Sequence, residues 1–217
     1  MTKETKKTKG KADAAGSFGS LLSLRSSSKR SESRFIPPHG GYQNLLSYQK
    51  ALIVYDATQH FCNRFFGKFD RTRDQMIQAA RSGKQNILEG SKASGTSKES
   101  EIKLTNTARA SQGEQLEDYR DFMRHHGIEE WASDHPHAQR LRELNRTSST
   151  NYQTFKKGIE HADPAICTNV IVGLIKVTSY LLDRQLDRLE QDFVKDGGLR
   201  ERMTRARLAA RHSQERH

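Results

Sequence analysis

The chain has 217 residues, with 37 Lys+Arg against 26 Asp+Glu, a net charge of +11 and 33% hydrophobic residues. That apolar fraction is lean for a globular chain, and no apolar run approaches the roughly 20 residues that span a bilayer, so an integral membrane protein is not expected. Two cysteines, Cys62 and Cys167, are too few for a disulfide framework or a four-thiolate zinc site, and a reducing cytoplasm is the expected compartment.

Residues 1–34 hold nine Lys+Arg and three Asp+Glu, a charge of +6, amid serine and glycine. Such a segment cannot bury enough apolar area to offset its chain entropy, so residues 1–38 are expected to form a disordered basic tail. Its start lacks the apolar stretch of about 7–15 residues that a secretory signal carries. Pro37 and Pro38, followed by Gly40 and Gly41, mark the end of the tail.

A helical period then runs over 42–66. Leu45, Tyr48, Leu52, Tyr55, Cys62 and Phe66 follow alternating spacings of three and four, with Ala51, Val54, Phe61 and Phe65 beside them. Gly67 is the expected stop. A second helix is expected over 72–89, closed by Gly90, with Met76, Ala80, Gly83 and Ile87 inward. Its small residues allow another backbone close, and Gly83 should face Ala108, Ser111 and Gln112 of the next helix. Ser82, Asn86 and Glu89 form a polar ladder on one face, expected to join helices rather than to hold a metal. Thr96-Ser97-Lys98-Glu99 has the form of a capping box, with Thr96 and Glu99 as partners, opening a third helix to about Arg124.

Residues 125–162 are expected to be an irregular insertion around one or two short helices. Its histidines, His125, His126, His135 and His137, bracket Trp131 without regular ligand spacing or a thiol. A solvated loop is expected there rather than a zinc centre. Asp163-Pro164 signals a helix start, and the helix over 165–189 is apolar nearly all round between 170 and 182. That surplus of apolar surface predicts a partner subunit.

No alternating strand pattern bounded by turn dipeptides occurs. The expected fold is all-α: an antiparallel up-down four-helix bundle over 39–192 with a disordered basic N-terminal tail and a basic helical C-terminal extension over 193–217. Residues 195–217 carry seven Lys+Arg and three Asp+Glu, +4, leaving 35–194 with 21 against 20. Basic character thus belongs to the ends, and phosphate contacts need charge and reach rather than shape. Arg200, Arg202, Arg205, Arg207 and Arg211 are the candidate nucleic-acid contacts. Arg64, Lys68, Arg71 and Arg73 form a second candidate patch on the bundle. Cys62 and Cys167 fall on apolar faces and are expected in the core. No phosphate loop, dinucleotide fingerprint or catalytic-triad signature is present, so no enzyme and no cofactor are expected.

Ala79, Ser82, Asn86, Glu89 and Gly90, followed by Ser97, Glu99, Ala108, Ser111 and Glu114, form a pattern over some 36 residues. It resembles the four-helix-bundle family of the 23S ribosomal RNA intervening-sequence protein. The accessory variability determinant of diversity-generating retroelements belongs to the same fold group. The resemblance implies a homo-oligomeric ring, typically a pentamer, with RNA or DNA and a reverse transcriptase as possible partners, and no membrane. A scaffolding oligomer with no nucleic-acid role is the competing expectation.

Overall fold

The computed structural model describes residues 39–147 and 150–214. The tail expected over 1–38 therefore lies outside the described residues. Among the described residues every regular element is helical and no strand occurs. A short 3-10 turn at Tyr42–Asn44 precedes α1 (Leu46–Phe65), α2 (Arg71–Ala93) and α3 (Lys98–His125). The insertion contributes α4 (Pro136–Arg146) and α5 (Tyr152–Ile159), and the chain continues with α6 (Pro164–Asp196) and α7 (Leu199–Gln214).

Local chemistry sets most of these boundaries. Asp70 accepts a hydrogen bond from the Thr72 amide at 2.9 Å and opens α2. Asp163 does the same for Ala165 at 2.8 Å, with Pro164 in the first turn of α6. The cap of α3 is one residue later than expected. Ser97 has extended backbone and accepts from the Ser100 amide at 3.1 Å, while the Thr96 hydroxyl donates back to Ala93 O at 3.3 Å. A cap must sit in extended conformation with its oxygen over the first turn, and here Ser97 has that geometry. Glu99 instead accepts from the Ser97 hydroxyl at 3.1 Å.

Helix α2 also runs past Gly90 to Ala93. Gly90 is buried against α3, where a Cβ would lie 3.4 Å from Glu101 O and from Leu104 Cβ. Close packing outweighs the roughly 1 kcal/mol that a mid-helix glycine costs. Gly83 repeats this two turns earlier: a Cβ there would collide with Gln112 Nε2 and stand 3.7 Å from Ala108 O. The expected small-residue contact between these helices is present.

Helices α2 and α3 pack on each other, α1 packs on α2 and α6, and α3 packs on α6. The start of α1 meets the far part of α6, where Ser47 Oγ donates to Gln185 Oε1 at 2.7 Å. The end of α1 meets the entry to α6, where Arg64 donates to His161 O at 2.5 Å. Asn63 near the end of α1 accepts from Arg73 at the start of α2, at 2.9 Å. The core holds Phe61, whose ring centroid lies 4.7–4.8 Å from those of Phe65, Tyr119 and Phe122. Within it, Thr58 Oγ1 accepts from Gln115 at 2.5 Å and from the Tyr119 hydroxyl at 3.1 Å.

At 33 residues α6 is about 50 Å long. It includes an 18-residue window of mean hydropathy 1.7, long and apolar enough by composition to cross a bilayer, and 56% of that window is buried within the chain. Part of the surplus apolar surface read from 170–182 is covered from inside. Helices α4 and α5 of the insertion lie on α6. Leu141 of α4 occupies the space a Cβ would take on Gly173, and Val170 fits against Gly158 of α5. Tyr180 on the same helix stays 62% exposed.

Candidate nucleic-acid interface

Gly197 ends α6 with φ +69, a left-handed conformation that glycine adopts without a Cβ penalty, and its amide bonds Phe193 O at 2.9 Å. The chain then turns into α7. This helix has no buried residue. Its apolar residues, chiefly Met203 and Leu208, are themselves exposed, so it has too little apolar area to dock firmly. Over Leu199–Gln214 it carries five arginines and one glutamate, a charge of +4.

Arg200, Arg207 and Arg211 share one stripe, within about 40° at 100° per residue. All three are exposed. Arg205, also exposed, points elsewhere and donates to Asp196 O at the end of α6. Arg202 is half-buried, and its Nε has no hydrogen-bond partner among the described residues. No α7 arginine forms an ion pair with a described carboxylate. Arg200, Arg207 and Arg211 can meet an outside anion.

The second basic group lies at the other end of α1, about 30 Å away for a helix of 20 residues. Three of its four residues, Arg64, Lys68 and Arg71, are exposed, but Arg64 and Arg73 are already engaged. Arg64 is spent on His161 O and Ala162 O, both at 2.5 Å, and stacks over the Phe65 ring. Arg73 donates to Asn63 and pairs with Asp74 at 3.2 Å. Lys68 and Arg71 are exposed. Between them stands Phe69, 92% exposed, with Lys68 Nζ 6.0 Å from its ring centroid. An exposed aromatic beside two cations is a platform on which a base can stack. Phe69 was missed in the sequence reading, although its signal, an aromatic inside Gly67-Lys68-Phe69-Asp70-Arg71, was present. The two groups of predicted contacts are not brought together.

Of the expected polar ladder only Ser82 reaches α3, while Asn86 and Glu89 bond within α2. Ser82 Oγ and Ser111 Oγ lie 3.0 Å apart across the two helices, and Asn86 donates to Ser82 O at 2.9 Å. Ala79 and Ala108 are buried, and Gly90 gives the close approach described above. Ser97 caps α3, and Glu99 orients that cap. Glu89 is exposed and accepts from Gln85 at 3.0 Å. Glu114 is exposed near Asp118, whose carboxyl is pushed up by burial and then by Asp121 and Glu114. This outer face is acidic and unsuited to phosphate.

Two histidines of the insertion, His135 and His137, gather on Trp131, and His126 lies apart on Phe122. His135 stacks on Trp131 at 5.0 Å, His137 lies 5.2 Å from the same ring, and His126 stacks on Phe122 at 3.9 Å. His135 Nδ1 also accepts from the His137 amide and caps α4. Among the described residues no three His, Cys, Asp or Glu side chains gather as a metal set. Burial pushes the Cys62 thiol up to about 12 and the Cys167 thiol to about 11. Both thiols are buried, and Cys167 donates to Ile159 O at 2.8 Å.

No family model, curated protein or solved structure matches this chain.

Proposed function

We propose that this chain is a non-catalytic protein whose α1, α2, α3 and α6 form an antiparallel up-down four-helix bundle, and that it binds nucleic acid through α7. The observation that carries this reading is that α7 buries none of its residues and forms no ion pair with a described carboxylate. A helix so built gains nothing from packing, and its +4 charge is available for phosphate. Contact is electrostatic, with little sequence preference, because α7 carries no aromatic side chain to stack on bases. RNA and DNA are both suitable partners. A reverse transcriptase and a pentameric ring are further proposals that rest on the family resemblance alone, as does a cytoplasmic location on the free cysteines. Self-association draws support from outward apolar side chains such as Leu52 on α1 and Val194 on α6. Without the α7 contacts, the same surfaces describe the alternative, a purely structural oligomer.

Fluorescence anisotropy with duplex DNA and RNA, between about 50 and 200 mM salt, tests the reading. The log–log slope should weaken by about 3 units in a variant with Arg200, Arg207 and Arg211 replaced by alanine, from about 0.9 per phosphate contact. Replacing Lys68, Phe69 and Arg71 at the far end should change it less. Undiminished binding by the α7 variant would overturn the reading in favour of another basic surface, and no binding by the full chain would favour the scaffold.

A further inference from the structure

Lys50 is the one buried lysine or arginine among the described residues, with 4% of its surface exposed. It lies in α1 on the stripe of Leu46, Ile53 and Ala57. Its ammonium donates to Asn145 Oδ1 of α4 at 2.7 Å and to Thr150 Oγ1 at 2.5 Å, and stands 5.0 Å from the Phe155 ring centroid of α5. Every one of these partners is neutral, and Lys50 forms no ion pair with a described carboxylate. The buried acid of this protein is treated differently: Glu101, also buried, pairs with Lys98 at 2.8 Å. A charge withdrawn from water without a counter-ion is strongly destabilising, and hydrogen bonds to neutral acceptors recover part of that loss. Burial accordingly lowers the Lys50 pKa to about 8.

Lys50 lines a pocket of about 300 Å³ between α1, α4 and α6. Its lining includes three cations, Lys50, Arg142 and Arg146, together with apolar Leu46, Val177 and Tyr180. No carboxylate lines it. Arg142 donates to Ser133 O at 2.5 Å, and neither Arg142 nor Arg146 forms an ion pair with a described carboxylate, whereas Arg140 on the same helix pairs with Glu143. Leu46 and Tyr180 remain 52% and 62% exposed at its mouth, although both lie on core-forming helices. A neighbouring cleft of about 340 Å³ shares Arg142, Asn145, Val177 and Tyr180. Its carboxylate, Glu130, is already held by Lys176 and Arg120. Three cations, no anion and apolar side chains are thus concentrated in a recess of ligand size.

We propose that this pocket binds a small organic anion, its single carboxylate, sulfonate or phosphate seated among Lys50, Arg142 and Arg146 and its apolar body against Leu46, Val177 and Tyr180. Charge decides against the chain's own segments as occupants. Residues 1–34 carry +6 and α7 carries +4, so both are repelled by three cations. Size decides against a nucleic-acid strand. The Lys50 ammonium is held by Asn145 and Thr150 at a recess of about 300 Å³, the size of a small ligand rather than of a strand. The anion would supply the counter-charge that the fold itself withholds.

The test uses the full chain and two dyes with one aromatic body: anilinonaphthalene sulfonate, which carries the anion, and phenylnaphthylamine, which is neutral. One charge-assisted contact accounts for about tenfold in affinity, so the sulfonate dye should bind one per chain and at least about tenfold tighter than the neutral dye. Lys50→Met and Arg146→Glu should each lower sulfonate-dye affinity by about tenfold or more. Arg146 is exposed and pairs with no described carboxylate, so Arg146→Glu decides the matter even if Lys50→Met fails to fold. Equal affinity for the two dyes, or sulfonate binding unchanged by Arg146→Glu, would overturn the proposal. Displacement of the dye by duplex DNA from a variant lacking Arg200, Arg207 and Arg211 would overturn it as well, because the pocket would then be a nucleic-acid surface.

Discussion

Lys50 is where single-residue chemistry has the largest measurable consequence. Its folded-state pKa, about 8, lies below its ordinary value of 10.5. The unfolded chain therefore keeps this proton through a range where the folded chain releases it. The cost of burying the charge is fully present below about pH 8 and is relieved as pH rises towards 10.5. The shift corresponds to roughly 3 kcal/mol. The titrating thiols, Cys62 and Cys167, cancel in a comparison with Lys50→Met. In urea unfolding without added organic anions, the stability difference between wild type and Lys50→Met should move towards wild type by about 3 kcal/mol from neutral to strongly alkaline pH. A difference independent of pH would show that the ammonium is solvated. The sequence contained a signal for this burial: Leu46, Lys50, Ile53 and Ala57 share one helical stripe. A lysine on such a stripe often snorkels to water, and only the arrival of α4 and α5 closes that route.

Among the helices, the α2–α3 contact was the most legible. Small residues spaced along 76–87 announced a close approach, and Gly83 does lie against Ala108 and Gln112. Leucine at this site has no space, so Gly83→Leu should lower the melting temperature, at a cost of about 1–3 kcal/mol. At an exposed site the same change would instead raise stability by up to about 1 kcal/mol through helix propensity, so the direction of the shift distinguishes the two. The end of α2 was less legible. Gly90 looked like a stop because glycine commonly closes helices, yet it continues the helix because α3 approaches within van der Waals contact there. The cap of α3 shifted by one residue for a similar reason. Thr96 and Ser97 are both competent capping residues, and the backbone conformation at Ser97 selects between them.

For the molecule as a whole, the insertion alters the argument about partners. An all-round apolar α6 implies a second subunit, and α4 and α5 cover part of its surface within one chain. Self-association then depends on smaller outward features, Leu52 and Val194, and on the family resemblance. Light scattering at micromolar concentration should give a mass of several times 24.7 kDa if the ring forms. A mass of one chain would remove the oligomer and leave α7 to act alone, without the gain in avidity that several copies provide. The two basic groups also separate at this scale. Arg200, Arg207 and Arg211 lie beyond α6, while Lys68 and Arg71 lie at the opposite end of α1, so one short duplex contact does not engage both.

The amino-acid order by itself determined what depends on near neighbours: the helical periods, the Asp163-Pro164 start of α6, the small-residue face of α2, and the concentration of charge in 195–217. These follow from spacings of three and four residues and from side chains that reach their own backbone, interactions complete within a turn or two. Tertiary structure decided what depends on which element arrives from elsewhere. It buried Lys50, kept Gly90 helical, tied the exposed Arg64 to the carbonyls before α6, and left Phe69 exposed among cations. Burial is a property of the space between elements, and the sequence of one helix does not state which neighbour will fill that space.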